Sequence, residues 1–239
     1  PESNQTGRYV SLFFSLSVMV LLTVLLSRGQ PWTYWLWSFS SFVAIHQLGG
    51  TYAAANRPDW ICIFFSLCFV LMYRTHRKTA LVALVTAISF KQTAAMWAVL
   101  PAVAAIIESR LKPKLSWIKS LLPCVVVGSY LLALKLLFPV VFHYNFETFG
   151  SYPVQLKHVL TIAWSQLAAL PLLAALALAV GKNALRKKDG AYYLSALLIS
   201  LAACSFAAAK PGGTTNSLIP FFLVATGSSL WGLRELWQA

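Results

Sequence analysis

Charged residues, and acidic residues above all, are scarce in this sequence. Asp, Glu, Lys and Arg together make up 10% of the 239 residues, and only 6 residues are acidic. A water-soluble domain carries about 25% charged residues. Hydrophobic residues reach 59%, and the mean hydropathy is +0.70. This shortage of charge argues against an ordinary soluble domain and predicts an integral membrane protein.

Cysteine and the usual metal-binding patterns are also poorly represented. The four cysteines all lie inside apolar segments, where a thiol behaves as a small core residue; they are Cys62, Cys68, Cys124 and Cys204. Neither a disulfide framework nor a metal set is visible, and no pair of histidines has metal-ligand spacing. No Gly-rich motif of the nucleotide-binding type occurs. We therefore expect no metal held by this chain.

Apolar runs fill most of the chain and predict an all-α fold, a single polytopic transmembrane domain over residues 1–239. The runs fall at about 9–27, 32–54, 59–73, 79–90, 93–107, 116–138, 158–180, 191–208 and 216–233. Most are long enough for the roughly 20 residues that span a bilayer. They predict about nine transmembrane helices, with residues 139–157 as the longest outer loop.

The apolar runs at 79–90 and 93–107 form either one helix that contains Lys91 or two helices with a turn at Lys91. As one helix, residues 79–107 would be about 43 Å long at about 1.5 Å per residue and would bury a lysine at bilayer depth. If the chain turns at Lys91, most of the 19 basic residues fall on one side of the membrane. Those on that side are Arg28, Arg74, Arg77, Lys78, Arg110, Lys112, Lys114, Lys119, Lys182, Arg186, Lys187, Lys188 and Arg234. The positive-inside rule favours the turn, an outside N-terminus and a cytoplasmic C-terminus.

Membrane topology also explains the net charge of +13. The basic residues form short clusters between apolar runs, which suits loops facing anionic lipid. No basic stripe interleaves with a soluble fold, so nucleic acid is not expected as a partner. We expect membrane lipid instead.

The remaining polar residues collect on the outer side and form the candidate site. Three basic side chains on separate outer turns, Arg57, Lys91 and Lys210, could surround the phosphate of a lipid-linked donor. The residues expected to shape the same cavity are Asp59, Gln92, His143, Tyr144, Asn145, Glu147 and Asn216. Each also has a purely structural explanation: Arg57 and Asp59 as a local ion pair at a helix start, Lys91 as a lysine reaching the interface, and Lys210 as part of a turn.

Two stretches, "NRPDWICIFFSL" and, about thirty residues later, "AISFKQTAAMWAVLP", resemble multi-pass membrane glycosyltransferases of the GT-C class. The closing "PGGTTNSLIPFFLVATG" is similar to a stretch of the same proteins, which include protein mannosyltransferases and aminoarabinose transferases. The resemblance implies sugar transfer from a polyprenyl-phosphate donor at the outer face, with inversion. It implies that Lys91 contacts the donor phosphate, while Arg57 and Asp59 shape the cavity.

The resemblance also implies a part that this sequence does not contain. The family's first helix and its acidic first outer loop would precede residue 1, so the catalytic acid is unknown, and so is any divalent metal those residues would hold. A fragment of such an enzyme is one expectation. The alternative is a non-catalytic membrane subunit or scaffold that keeps the helices, with the aromatic-rich helices at 32–42 and 192–206 as contacts for other proteins of a complex. A bacterial inner (plasma) membrane is the expected location, with the endoplasmic reticulum left open.

Overall fold

A computed structural model describes residues 3–48, 59–111, 117–148, 153–169, 190–210 and 215–237, and every regular element in these residues is helical. The predicted all-α class is therefore confirmed. The α-helices are α1 (Ser3–Ser27), α2 (Trp32–Leu48), α3 (Asp59–Met72), α4 (Arg77–Phe90), α5 (Leu100–Leu111), α6 (Trp117–Ser120), α7 (Leu122–Leu137), α8 (Pro139–Phe142), α9 (Leu156–Ala169), α10 (Gly190–Ala208) and α11 (Ile219–Trp237). Two 3-10 segments, Gln92–Val99 and Thr215–Leu218, and a π-helical turn, His143–Glu147, lie between them.

The turn between α1 and α2 follows from two residues that stop helices. Gly29 has a φ of +77°, a left-handed conformation that costs glycine little and other residues more. The N–H of Gln30 donates to the carbonyl oxygen of Ser27 at 2.9 Å, which caps the helix end. Pro31, which follows directly, cannot continue the helix.

The chain reverses direction at Lys91. Helix α4 ends at Phe90, and Lys91 is extended, with φ −155° and ψ 120°. The guanidinium of Arg74, before α4, lies 3.1 Å from the carboxylate of Glu108, near the end of α5. These two residues are 34 positions apart, and a continuous helix would separate them by about 51 Å. Residues 77–111 therefore form a helical hairpin, and its two ends lie close together.

Three predicted segments differ from the structure. The helix expected over 93–107 is a 3-10 segment as far as Val99 and is α-helical only from Leu100. The segment expected as one helix over 116–138 is broken at Leu121 into α6 and α7, because Pro123 occupies the first turn of α7, where its missing N–H costs nothing. The stretch expected as an outer loop, 139–157, contains α8 and the π-helical turn. The later parts of the predicted helices 32–54 and 158–180 lie outside the described residues.

The bundle has two distinct ends, which we call the Lys91 end and the Arg74 end. At the Arg74 end, the Tyr73 hydroxyl donates to the carbonyl oxygen of Lys119 at 3.1 Å, and the Arg74 guanidinium stacks 5.5 Å from the Tyr192 ring. The turns before α4, before α7 and at the start of α10 therefore meet there. At the Lys91 end, Lys91 pairs with Asp59, the first residue of α3. Arg74, Arg77 and Lys119, which belong to the basic clusters predicted to be cytoplasmic, thus lie at the end opposite Lys91.

Among the described helices, two are long and apolar enough to cross a membrane, Gln5–Ser27 and Gly190–Ala208. Four shorter apolar helices run over Asp59–Met72, Gln92–Glu108, Leu122–Leu137 and Ile219–Trp231. The structure therefore gives a weak indication of membrane association. It does not establish the nine predicted spans.

Helix α1 buries small polar residues together with Val18, Met19 and Leu22, and from Tyr9 onward its exposed face is mainly apolar. Ser15 and Ser27 are fully buried against the neighbouring helices, while Phe13 is 65% exposed and Val20 52% exposed. The Ser15 hydroxyl donates to the carbonyl oxygen of Leu12 at 2.9 Å, so its hydrogen bond is made within the helix. A helix that faces water exposes mainly polar residues instead.

Candidate functional site

The candidate site is a small cavity at the Lys91 end, with a mostly apolar wall that also contains the Lys91–Asp59 pair. It is about 40 Å³ in volume and lies between α3, the 3-10 segment Gln92–Val99, α10 and the start of α11. One water molecule needs about 10–15 Å³, so the cavity has room for a group of a few heavy atoms, such as one phosphate.

The Lys91 ammonium and the Asp59 carboxylate form an ion pair in this cavity. The Asp59 side chain is 12% exposed and that of Lys91 28% exposed, so water screens the pair only in part. Lys91 lies between the end of α4 and the start of the 3-10 segment Gln92–Val99, where the backbone is extended. This break between the helices lets its side chain reach the cavity. An ammonium group has three N–H donors, so Lys91 can hold Asp59 and also donate to an anion.

Helix N-termini add positive potential at the same place. Helix α3 begins at Asp59, a 3-10 segment begins at Gln92, and the 3-10 segment Thr215–Leu218 leads into α11. Their first turns supply Asp59, Thr93 and Ser217 to the cavity wall. An α-helix N-terminus carries about half a positive charge, and it attracts anions. The Lys91–Asp59 pair carries no net charge, so the N-terminus of α3 is the further source of positive potential at the cavity.

The cavity wall contains polar residues that the sequence analysis did not select. Cys62 and Ser66 follow Asp59 on one face of α3, and Cys204 approaches from α10. The Ser66 hydroxyl is buried and lies beside the Cys62 thiol, one turn earlier on α3. Helical spacings of three and seven residues from Asp59 would have indicated Cys62 and Ser66 in the sequence. No spacing in the sequence indicated Cys204, because α10 reaches this site only through tertiary packing.

Of the predicted site residues, the structure brings Lys91 and Asp59 together in the cavity wall. Gln92 begins the adjoining 3-10 segment but does not line the cavity. The Lys210 ammonium lies 5.2 Å from the centre of the Phe206 ring, beyond the cavity wall. Arg57 lies outside the described residues. Asn216 falls within the 3-10 segment Thr215–Leu218, and its side chain is likewise not described.

The other four predicted residues belong to a separate, exposed cluster on the π-helical turn. His143 Nδ1 lies 3.0 Å from Glu147 Oε2, and the Lys135 ammonium lies 3.3 Å from Glu147 Oε1. The hydrogen bond from His143, followed by that from Lys135, holds the pKa of the Glu147 carboxyl below its usual range. Tyr144 and Asn145 are exposed on the same turn. None of these side chains lines the cavity.

The described residues contain no cluster of three or more His, Cys, Asp or Glu side chains able to hold a metal ion. The cavity's chemistry therefore comes from one ammonium, one carboxylate, hydroxyls, thiols and helix termini. Such a set can bind and orient an anionic oxygen group. No protein-family model, curated protein or solved structure matches this chain.

Proposed function

We propose that the chain is a polytopic membrane bundle of about nine segments, with the Lys91 end outside and the Arg74 end in the cytoplasm. The exposed apolar face of α1 supports this, because lipid accepts exposed Phe13 and Val20, and the buried serines of α1 let helices approach closely. The basic turns at the Arg74 end also agree with the positive-inside rule. A bacterial inner membrane is the proposed location.

We further propose that the cavity at the Lys91 end binds the phosphate of a polyprenyl-phosphate-linked sugar. The observation that carries this proposal is the Lys91–Asp59 pair, held in a cavity where helical N-termini converge. The volume of about 40 Å³ suits one phosphate and leaves no room for the sugar, which would lie outside the bundle. In this arrangement Asp59 fixes the position of the Lys91 ammonium, which donates to the phosphate oxygens.

The proposed reaction is transfer of the sugar from the lipid phosphate to an acceptor at the outer face, as in GT-C glycosyltransferases. Lys91 and the helix termini would stabilise the negative charge that develops on the leaving phosphate as the glycosidic bond breaks. Catalytic acid and acceptor are not assigned to residues of this chain.

Sugar transfer by the full-length protein tests the proposal, with Lys91→Ala as the perturbation and Lys157→Ala as the matched control. Lys157 is an exposed lysine at the start of α9, away from the cavity wall. We expect Lys91→Ala to reduce transfer by about 100-fold or more, the range seen when one transition-state donor is removed. The control should leave transfer unchanged. If both variants transferred sugar equally well, Lys91 would not be part of the site.

A second candidate is a non-catalytic subunit of a membrane complex, and one surface favours it. Helix α2 exposes Trp32 by 71% and Trp37 by 65%, a large aromatic face for a protein partner. The other helix proposed for this role, α10, is largely buried against α5 and α11, so only α2 of the two offers such a face. Loss of complex assembly on Trp32→Ser/Trp37→Ser, with sugar transfer absent from the wild type, would favour this function.

A further inference from the structure

The turn between α3 and α4 carries a run of exposed basic side chains at the Arg74 end. Its sequence, "RTHRK" at 74–78, contains two arginines, a lysine and a histidine, and all five residues are exposed. Lys119 of α6 is also exposed, and its carbonyl oxygen accepts the hydrogen bond from the Tyr73 hydroxyl, directly before this run. The two segments therefore bring their positive charges to one surface.

A buried tyrosine holds Arg77 in place within this surface. The Arg77 guanidinium lies 5.9 Å from the centre of the Tyr73 ring, and Tyr73 is buried and hydrogen-bonded to Lys119. A guanidinium that stacks through its face keeps its edge N–H groups for the two-point contact that suits a phosphate. In the part of the chain that the structure describes, no carboxylate pairs with Arg77, Lys78 or Lys119. These three residues, which we call the Arg77 cluster, can therefore bind an anion from outside the chain.

Aromatic residues of the kind found at membrane interfaces lie at the same end of the bundle. The Arg74 guanidinium stacks on the Tyr192 ring, and next to it the Tyr193 and Trp231 rings lie 5.4 Å apart. Tyr and Trp are enriched at the level of the lipid headgroups. In the proposed membrane bundle, the Arg77 cluster therefore lies at headgroup level.

Exposed apolar residues follow the Arg77 cluster on two helices that contact each other, α4 and α7. Val82 lies four residues after Lys78, on the same face of α4, and is 67% exposed. Leu122 and Val125 are exposed in the first turns of α7, which begins directly after α6. An amphiphile could use both the charges and this apolar surface, whereas a free anion or an acidic peptide could use only the charges.

We propose that Arg77, Lys78 and Lys119 bind the phosphate of an anionic phospholipid, whose acyl chains lie along the exposed apolar faces of α4 and α7. The proposal depends on the bundle lying in a membrane. It does not depend on the phosphate site at Lys91, which is at the opposite end. Because α4 and α6 both contribute to the cluster, a bound lipid would join the base of the hairpin 77–111 to α6.

Native mass spectrometry of the purified, detergent-solubilised protein tests the proposal, after circular dichroism has confirmed the helical content of every variant. Dioleoylphosphatidylglycerol carries the anionic head and the chains, dioleoylphosphatidylcholine has the chains without a net charge, and glycerol 1-phosphate is the head alone. Hexaglutamate represents an acidic peptide. The variant Arg77→Gln/Lys119→Gln removes two charges from the cluster, and Lys135→Gln/Lys157→Gln removes two from exposed lysines elsewhere.

We expect Arg77→Gln/Lys119→Gln to weaken phosphatidylglycerol binding about 25-fold, about fivefold for each basic residue removed at a lipid surface. The control variant should bind it as the wild type does, and phosphatidylcholine should bind more weakly and equally to all variants. Equal phosphatidylglycerol binding by the wild type and Arg77→Gln/Lys119→Gln would overturn the proposal. Glycerol 1-phosphate or hexaglutamate binding as tightly as phosphatidylglycerol would also overturn it, because the acyl chains would then contribute nothing.

The variant Lys91→Ala separates this site from the one at the other end. Geranyl phosphate, a short polyprenyl phosphate, is the probe for the Lys91 site, and Lys91→Ala should weaken its binding while phosphatidylglycerol binds as before. If Lys91→Ala changes neither ligand, the proposed function fails and the phospholipid site stands. If Lys91→Ala weakens phosphatidylglycerol as much as Arg77→Gln/Lys119→Gln does, the assignment of that lipid to the Arg77 cluster is overturned.

Discussion

Replacement of the Lys91–Asp59 pair by apolar residues separates its contribution to stability from its contribution to binding. The Asp59 side chain is 12% exposed and that of Lys91 28%, so the pair lies between the exposed and buried cases. Exposed pairs contribute about 0–1 kcal/mol, and breaking a buried pair costs about 3–5 kcal/mol. We therefore expect Lys91→Met to lower the free energy of unfolding by about 2–4 kcal/mol, because Asp59 is left charged beside apolar groups.

The double variant Lys91→Met/Asp59→Leu should recover most of this loss. Well-packed apolar residues often replace a buried ion pair without net cost. Asp59 also interacts with the N-terminus of α3, a contribution of about 0.3–1 kcal/mol that leucine cannot supply. We expect the double variant to lie within about 1 kcal/mol of the wild type, and the coupling energy of the cycle to be about 2–3 kcal/mol.

The assay is equilibrium unfolding in mixed micelles, followed by circular dichroism, on the wild type, both single variants and the double variant. Geranyl phosphate binding is measured on the same four proteins. The expected outcome is a stable double variant that no longer binds the phosphate. A double variant as unstable as either single variant would refute the energetic reasoning, and one that still binds phosphate would show that the pair is only structural.

Two further predictions concern topology and the outer cluster. In a background without cysteine, Lys157→Cys should react with a membrane-impermeant maleimide on intact cells and Lys78→Cys only after permeabilisation; the opposite pattern would invert the proposed orientation. In a ¹³C NMR titration, the Glu147 carboxyl should have its midpoint below that of a free glutamate, and His143→Ala should raise it more than Lys135→Ala, because the His143 hydrogen bond is the larger cause. Since the folded-state pKa is lowered, the stabilising contribution of this cluster is present above the usual carboxyl range and is lost as the pH falls through the lowered pKa. An unchanged midpoint in His143→Ala would contradict the assignment.

The helical pattern was accessible from the sequence because most helix boundaries coincide with strong local signals. Gly29 and Pro31 end one helix, and the charge distribution indicated a reversal at Lys91, where the structure has an extended residue. The break before α7 was missed because the apolar run over 116–138 hid the preference of Pro123 for a first turn. Hydrophobicity alone does not reveal such a helix break.

The candidate site was less accessible, because it depends on which helices pack together. The sequence placed Lys91 and Asp59 on the same side, and they are ion-paired in the structure. It also grouped His143 and Glu147 with them, although Glu147 pairs with His143 and with Lys135 of α7 in a separate, exposed cluster. Residues can share one side of a membrane and still belong to different sites, and periodicity does not report the distance between helices.

The most direct test of the central claim is the affinity of the protein for geranyl phosphate with and without the Lys91 ammonium. Wild type, Lys91→Gln and Lys157→Gln are compared by native mass spectrometry in the same detergent. Loss of a charge-assisted hydrogen bond costs about 1.5–3 kcal/mol, so we predict binding about 10- to 150-fold weaker for Lys91→Gln and unchanged for Lys157→Gln. Equal affinities of the wild type and Lys91→Gln would contradict the claim that this cavity is a phosphate site.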